Sequence, residues 1–397
     1  MQARLALIAV IVLALVSGCT DSPPSGCDVW KQAAPPAGYV SDVLALADDD
    51  VWLAGQGGED FRGSVFHWEG RRWHSVQTAR LDARHIWLTS IAGVAPDDIW
   101  ASGIAFPKDT DRLSHPVVEH WDGRTWSAVP LPDLGSSQGS MGGLSAISAD
   151  EVWAAGWYGE RNHHHPLVQR WDGRTWARVP VPDQFRDLYA LGGFSAIASD
   201  DVWLLAMGEG DTLGERIITL HWDGHGWTRF PGPVFGPTEP RLLEATSLYL
   251  KGITAIGRDD VWMFGEYEPA RKVGRHATPG RQQALFAHWD GGRWSVISDP
   301  ELPGRVNALA GRSPDDVWAV GVQGSPTRPV TWHWDGHKWS EAPSPQVGVG
   351  PQHMDDFRTN ELFTLSIAPD GTAWAAGQYA VGEENDIDTL VEVCRTP

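Results

Sequence analysis

The segment from Pro314 to Pro343, PDDVWAVGVQGSPTRPVTWHWDGHKWSEAP, decides the fold, because most of the chain repeats its pattern. Each copy opens with two acidic residues, then Val or Ile, then Trp, and the seventh copy is degenerate. The tryptophans of the seven copies are Trp52, Trp100, Trp153, Trp203, Trp262, Trp318 and Trp374. They are separated by roughly 48 to 59 residues, a repeat length that indicates a propeller or a solenoid.

A second signature, Trp-Asp/Glu-Gly-x-x-Trp, follows the first in six of the copies. Its first tryptophans are Trp68, Trp121, Trp171, Trp222, Trp289 and Trp334. Short runs rich in Val, Ile and Trp, separated by turn residues, predict four antiparallel strands in each repeat. The Asp-Gly pair between the last two runs, as at Asp172-Gly173, predicts a two-residue hairpin turn. Four such strands are typical of a propeller blade, and no segment has a sustained helical period.

The two ends of the chain together complete the seventh repeat. The last copy stops after its third strand, Leu390–Cys394, and the segment Cys27–Pro35 matches the missing fourth strand, with Trp30 at the tryptophan position. The sequence therefore predicts an all-β, seven-bladed propeller that the N-terminal strand closes. Because Cys27 and Cys394 fall where the other blades have a hairpin turn, we expect a disulfide between them.

These residues resemble the kelch-type and Asp-box propellers, and in particular bacterial secreted proteins that carry PDDVWAVG repeats. The resemblance covers residues 27–397. It departs from kelch repeats in having one glycine where they have two. It departs from the Asp-box in being one residue shorter between Asp and Gly. Either family implies the propeller, and neither implies an activity, because propellers carry unrelated functions.

The N-terminal residues predict export and lipid attachment. Residues 1–18 contain one charge, Arg4, and an apolar run from Leu5 to Val16, which is typical of a secretory signal. Small residues directly before Cys19 resemble the bacterial lipobox, which implies lipid on Cys19; an ordinary signal peptide with an incidental cysteine is the alternative. Residues 19–26 then form a tether and residues 27–397 one domain. Thr20 resembles an outer-membrane address in a cell with two membranes.

Chain direction separates two faces of the predicted ring. The Asp-Asp and Asp-Gly turns share one face, which we call the tight-turn face. The loops that join second to third strands, and each blade to the next, share the opposite, long-loop face. Binding residues favour such loops, and aromatics follow several second strands there: Phe106, Trp157, Tyr158, Tyr267 and Tyr379. They could stack on a sugar or peptide, or simply pack within the loops.

Other candidate sites are weaker. His163 and His165 could hold a metal ion, but a metal site needs three or four ligands, so a solvated loop is the alternative. Acid pairs and pre-hairpin histidines recur in blade after blade, which indicates a structural role. Lipid on Cys19 and a Cys27–Cys394 disulfide would leave no free thiol. No Gly-x-Ser-x-Gly motif or phosphate loop is present, so we expect no catalytic residues and no cofactor. The net charge of −20 argues against nucleic acid as a partner.

The sequence thus predicts a monomeric, lipid-anchored module that binds an envelope protein or glycan through its long-loop face. An enzyme acting on envelope polysaccharide, built from loop carboxylates and histidines, is one alternative. A scaffold subunit of an outer-membrane complex is another. A deep pocket with convergent carboxylates would favour the enzyme, whereas a shallow, aromatic-rimmed funnel would favour binding.

Overall fold

The repeats fold into seven antiparallel sheets arranged as blades, as the sequence predicts. The computed structural model describes residues 29–34, 36, 38–57, 62–108, 113–135, 138–160, 163–185, 190–207, 217–230, 232–233, 245–273, 276–297, 302–345, 360–381 and 386–395. In these ranges the single helical element is a 3-10 turn at Asp183–Phe185. Among the same residues, no helix is long and apolar enough to cross a membrane.

The strands follow the repeats in chain order after β1 (Lys31–Ala33). Blade one contains β2 (Tyr39–Ala47), β3 (Asp50–Gly57), β4 (Arg62–Trp68) and β5 (Trp73–Val76). Blade two contains β6 (His85–Ala95), β7 (Asp98–Phe106), β8 (His115–Trp121) and β9 (Trp126–Ala128). Blade three contains β10 (Gln138–Ser148), β11 (Glu151–Glu160), β12 (His163–Trp171) and β13 (Trp176–Arg178). Blade four contains β14 (Ala190–Ala198), β15 (Asp201–Met207), β16 (Ile217–Trp222) and β17 (Trp227–Phe230).

Blade five contains β18 (Ala245–Gly257), β19 (Asp260–Val273), β21 (Gln283–Trp289) and β22 (Trp294–Ile297), and β20 (His276–Pro279) pairs with the end of β19. Blade six contains β23 (Arg305–Ser313), β24 (Asp316–Gln323), β25 (Arg328–Trp334) and β26 (Trp339–Ala342). Blade seven contains β27 (Glu361–Ile367), β28 (Ala373–Val381) and β29 (Asp386–Cys394), and β1 is its fourth strand.

The ring closes where the two ends of the chain meet. β1 pairs antiparallel with β29, and Lys31 lies opposite Val393. The prediction that the N-terminal strand completes the last blade is confirmed. Trp30 is buried and packs edge-on against Trp318 of blade six, with ring centroids 5.7 Å apart. Residues 1–28, which include Cys19 and Cys27, lie outside the described residues.

The first strands surround a central channel and are joined to one another by their side chains. First strands of neighbouring blades are in contact all the way round, from β2 and β6 to β27 and β2. Ser90 Oγ of blade two, for example, accepts a hydrogen bond from the backbone N–H of Leu144 in blade three, at 3.2 Å. The six other links join Ser145 to Ala196, Ser195 to Ala255, Thr254 to Leu309, Asn307 to Leu362, Ser366 to Ala45, and Asp42 to Ile91.

The tryptophan of the first signature fills the space between blades. Trp153, for example, is fully buried in one cluster with Val202 and Leu204 of the next blade. Trp203, Trp262 and Trp318 are buried as well. Such large apolar side chains supply most of the hydrophobic stabilisation of a core.

The second acid of the signature contacts this tryptophan and the histidine before the hairpin. Asp50 Oδ1 accepts hydrogen bonds at 2.8 Å from the indole Nε1–H of Trp52 and lies 2.8 Å from His67 Nε2. His67 in turn stacks on Trp52 with ring centroids 4.0 Å apart. The equivalent histidines His120, His221, His288 and His333 contact the acid of their own blade in the same way. The acid–histidine pairs are therefore structural.

The Asp-Gly turn differs in length from the prediction. Trp121 pairs with Trp126, so the loop has four residues rather than two. Asp122 Oδ1 accepts hydrogen bonds from the backbone N–H groups of Arg124 and Thr125, at 2.9 and 2.8 Å. These bonds lower the pKa of Asp122. The aspartate side chain thus closes the turn by accepting hydrogen bonds from the backbone of the residues that follow it.

In six of the seven blades, a glycine of the second strand is explained by a bulge in the first strand. Every first strand has a register shift opposite this position, as between Val40 and Asp42 in blade one. A Cβ atom on Gly55 would lie 1.9 Å from the carbonyl oxygen of Tyr39. Only glycine lets the two backbones approach this closely. Blade four differs, because Ala206 stands at the corresponding place.

Candidate functional site

The aromatic residues predicted from the sequence lie on strands rather than in loops. β11 continues to Glu160 and β12 begins at His163, so Trp157 pairs with Pro166 and Tyr158 with His165. Tyr379 likewise lies within β28. The sequence analysis placed these residues in loops because the second and third strands extend beyond the part of the pattern that all repeats share. In blade three, for example, the pairing of β11 with β12 continues to Glu160 and His163.

The structure does not bring these aromatics together. They belong to blades two, three, five and seven, and Tyr267 is 1% exposed within the core of blades four and five. Tyr267 is therefore not available for stacking on a ligand. Tyr158 hydrogen-bonds to Arg178, whose guanidinium lies over its ring at 4.1 Å. Burial, followed by the charge of Asp388, raises the pKa of Tyr379. Phe106 is half-buried at the end of β7.

The histidine run forms no metal site in the part of the chain that the structure describes. His164 stacks on Trp157, with ring centroids 4.0 Å apart. No group of three His, Cys, Asp or Glu side chains that could hold an ion occurs among the described residues. The side chain of His163 lies outside them. An imidazole stacked on an indole is explained by packing alone.

Trp157 nevertheless lines a small cavity between blades three and four. The cavity has a volume of about 290 Å³, and Trp157 and Phe194 contribute its aromatic walls. Glycines form much of the remaining lining: Gly142, Gly143, Gly156 and Gly193. A Cβ atom on Gly142 would have no heavy atom within 4 Å, so the space above it is open. A single sugar or amino-acid ring matches a cavity of this size and lining.

A second set of aromatics, which the sequence did not single out, marks the mouth of the channel. Tyr39, Trp87 and Tyr249 are exposed by 47%, 45% and 52%. All three occupy the same place in their blades, two residues before the extra residue of the bulge. Because each first strand begins on the long-loop face, these residues, which we call the mouth aromatics, surround the channel entrance there.

The bulge residues lie next to the mouth aromatics. Trp87 Nε1 donates a hydrogen bond to Ser41 Oγ of the preceding blade at 3.3 Å. Thr89 Oγ1 donates to the carbonyl oxygen of Met141 in the following blade at 2.8 Å. Lys251 is exposed and Phe363 is half-buried at the same place. One residue per blade therefore varies the chemistry of the channel entrance around the ring.

Charged groups occupy the side of the mouth formed by blades five to seven. Arg305 Nη2 contacts Glu361 Oε2 at 2.5 Å, and Arg305 Nε lies 3.8 Å from Glu266 Oε2. Asn307 Nδ2 donates to the same Glu361 oxygen at 3.1 Å. Burial raises the pKa of Glu266, against the charges of Arg305 and Lys251. The mouth thus combines exposed aromatic side chains on blades one, two and five with a carboxylate–guanidinium cluster on blades five to seven.

Asp42, a carboxylate of blade one near the mouth, is fully engaged in the scaffold. It accepts hydrogen bonds from Thr364 Oγ1 of blade seven at 2.6 Å and from Ser90 Oγ and the backbone N–H of Ile91 in blade two, at 3.0 and 2.9 Å. Burial raises the pKa of Asp42, and these hydrogen bonds oppose that rise. Asp42 therefore joins three blades and is not free for acid–base chemistry.

The sequence missed the mouth aromatics because it contains no direct signal for a bulge. The second-strand glycine is the signal that could have found them, because a glycine inside a strand indicates a bulge or a close backbone approach in the partner strand. Counting back from that partner reaches Tyr39, Trp87 and Tyr249. Their shared position, rather than an obvious motif, identifies them.

Comparisons with known proteins agree with this fold. No protein-family model matches the chain, and no curated protein matches it. The polysaccharide lyase Uly1 is similar with a TM-score of 0.56 and 10% identity, over 93% of this chain and 92% of the lyase. YCF48 bound to D1 peptide has a TM-score of 0.53 and 16% identity, over 93% of this chain and 97% of YCF48.

A third similar structure is a GH74 xyloglucanase from Xanthomonas campestris. Its TM-score is 0.53 at 17% identity, and the match covers 91% of this chain and 55% of the xyloglucanase. At these levels of identity, the similarities establish the propeller fold alone.

Proposed function

We propose that the protein is a binding module that recognises an envelope protein or glycan at the channel mouth of its long-loop face. The observation that carries the proposal is the set of mouth aromatics, three exposed rings at one strand position around one opening. Exposed Trp and Tyr side chains offer rigid contact area and a polar tip at a low entropic cost, which suits recognition. Similar folds include YCF48, which binds a peptide, and a polysaccharide lyase.

Variants of the mouth aromatics test the proposal. Replacing Tyr39, Trp87 and Tyr249 by Ser removes three ring contacts worth about 1 kcal/mol each. Affinity should fall by about two orders of magnitude, since about 1.4 kcal/mol corresponds to a factor of ten. The control replaces Phe106 and Tyr379, which lie on second strands and are not mouth aromatics, by Ser. A glycan array and affinity purification from the native envelope supply the ligands.

Two outcomes would end this assignment. One is unchanged affinity in the mouth variant for every ligand that the wild type retains. The other is an equal loss in the mouth variant and in the control. Circular dichroism of each variant separates loss of binding from loss of fold.

The carboxylates Glu266 and Glu361 favour one alternative, an enzyme acting on polysaccharide. Both carboxylates contact Arg305, and burial raises the pKa of Glu266. Glycoside hydrolysis uses a pair of carboxyl groups, one of them with a raised pKa. The alternative predicts that the wild type releases new reducing ends from envelope polysaccharide and that Glu266→Gln does not. The binding proposal predicts no release by either protein.

We also propose a location at the cell envelope, on the grounds given by the N-terminal sequence. Lipid on Cys19 and the short tether would hold the domain near a membrane, and the protein would act as a monomer. Replacing Cys19 by Ala should then move the protein from the membrane fraction to the soluble fraction. Retention of this variant in the membrane fraction would contradict lipid anchoring.

A further inference from the structure

A large groove lies between blades one and two on the long-loop face. Its volume is about 760 Å³, within the range of small-molecule sites. The start of β4 at Gly63 and Ser64 forms one wall, and Lys108, after β7, lies at the edge. The segment from Ser75 to Ala83, which connects the blades, forms most of the floor. Ile86 also lines it and precedes Trp87 of the mouth.

Positive charge is concentrated in this groove although the protein is strongly acidic. Arg80, Arg84 and Lys108 line it, and no carboxylate is among the described lining residues. The chain as a whole has 51 acidic and 31 basic residues. Lys108 pairs with Asp82, an exposed residue outside the lining. A concave surface with one sign of charge attracts ligands of the opposite sign, and a low-dielectric wall strengthens that attraction.

Neutral hydrogen-bonding groups lie between the cations. Ser75, Gln77 and Thr78 line the same groove, and Ser64 Oγ is buried there without a hydrogen-bond partner among the described residues. Thr78 Oγ1 donates to the carbonyl oxygen of Gly63 at 3.2 Å, which fixes one wall to the other. Hydroxyl and amide groups both donate and accept, so they match sugar hydroxyls.

The floor of the groove is held in place from below. The backbone N–H of Ala79 donates to Glu119 Oε2 at 2.9 Å, and Glu119 is fully buried in blade two. A connecting segment fixed in this way is preorganised, which lowers the entropy lost on binding. The groove is therefore a formed site rather than a gap between independent loops.

A second groove on the same face repeats this chemistry. It lies between blades five and six, has a volume of about 510 Å³, and contains Arg281 and Arg328. Its other polar side chains are Gln282, Gln323 and Ser325, and it too has no carboxylate among its described lining residues. Arg328 pairs with Glu341 on the neighbouring strand. Because two grooves combine cations with amide and hydroxyl groups, chance is a poor explanation for the arginines in the first groove.

We propose that the groove between blades one and two binds an acidic oligosaccharide, in which sugar carboxylates meet Arg80 and Arg84 and hydroxyls meet the neutral groups. Guanidinium groups bind carboxylates through paired, charge-assisted hydrogen bonds. The cavity holds on the order of 25 water volumes, far more than one free anion needs. The site lies outside the channel mouth, so it goes beyond the function proposed above.

The test compares two charge-matched variants with the wild type. Arg80→Gln with Arg84→Gln alters the groove. Arg124→Gln with Arg174→Gln removes the same charge from exposed positions on the tight-turn face. Calorimetry with a tetrasaccharide of galacturonate should show binding by the wild type and the control, and at least tenfold weaker binding by the groove variant. A neutral tetrasaccharide of glucose should not bind to the groove.

Further arms distinguish the source of the negative charge. Inorganic phosphate at millimolar concentration should not displace the galacturonate probe, and phosphatidylglycerol vesicles should not compete with it. Displacement by phosphate would indicate that the groove binds a free anion, and displacement by the vesicles would indicate a lipid headgroup; either result would overturn the glycan proposal. Equal affinity of the two variants, or no binding of the acidic probe by the wild type, would overturn the proposal. Trp87→Ser should leave this binding intact, so failure at the mouth and failure at the groove are separable.

Discussion

Glu119 offers a sharp test of the energetics of the blades. This glutamate of β8 is fully buried, and while its Oε2 atom accepts the hydrogen bond from Ala79, its Oε1 atom has no partner among the described residues. Burial raises the pKa of Glu119 from an ordinary 4.5 to about 7. Replacing Glu119 by Gln keeps an oxygen that can accept from Ala79 and removes the titration.

The direction of the pH effect follows from proton binding. Between about pH 4.5 and 7 the folded protein holds a proton on Glu119 that the unfolded chain has lost, so stability falls as the pH rises through this window. Above about pH 7 both states are ionised and the loss is complete. A shift of this size corresponds to about 3 kcal/mol, at 1.36 kcal/mol for each pKa unit.

Glu119→Gln should therefore gain stability over the wild type as the pH rises. The difference in free energy of unfolding should be small at pH 4.5 and approach about 3 kcal/mol at pH 8. Urea unfolding at several pH values measures it, with Glu160→Gln, an exposed position, as the control. A constant difference between Glu119→Gln and wild type across this range would show that burial does not shift the titration. Glu392, buried in blade seven with its pKa raised to about 7, should behave alike.

Three further substitutions test the scaffold. Trp153→Ala should cost roughly 3–5 kcal/mol in urea unfolding, whereas Trp157→Ala should impair ligand binding more than stability; equal losses of stability would contradict the separation of core from site. Replacing Cys27 and Cys394 by Ser should lower the melting temperature without abolishing the fold. The loss in free energy of unfolding should be at most roughly 4–5 kcal/mol in the loop-entropy model. Two free thiols in the mature wild type would rule out the cross-link. Gly55→Ala should destabilise blade one, because its Cβ would overlap the Tyr39 carbonyl oxygen; an unchanged melting temperature would argue against the bulge.

The repeated part of the fold could be predicted because the same sequence pattern recurs in each blade. Seven copies of the Val-Trp signature and the matching segment around Trp30 determine the number of blades and the closure. The lengths of individual strands could not be predicted, since the extension of β11 past Trp157 depends on pairing with β12 rather than on composition. Burial of Tyr267 was missed for the same reason: a residue counted as loop is in fact on a strand between two blades.

The candidate site was harder to predict because it depends on chain geometry. Tyr39 and Trp87 are unremarkable in the sequence, and only the bulge places them at one opening. The groove near Arg80 depends on how the connecting segment lies across blade two, which Glu119 controls from a distant point in the chain. Pairings of this kind have no local sequence signal, whereas hairpins do.

The bulge in each first strand has a consequence for how such a protein can diversify. The inserted residues are Ser41, Thr89, Gly142, Gly192, Lys251, Asn307 and Phe363. None of them pairs with the second-strand residue at the close approach, so an exchange need not disturb that contact. Thr89 and Asn307 also bond to the next blade, so an exchange there would remove a contact between blades. The other five positions around the opening can vary while the scaffold stays the same. Selection for a new ligand could change one of these residues at a time, and each substitution would leave the ring closed.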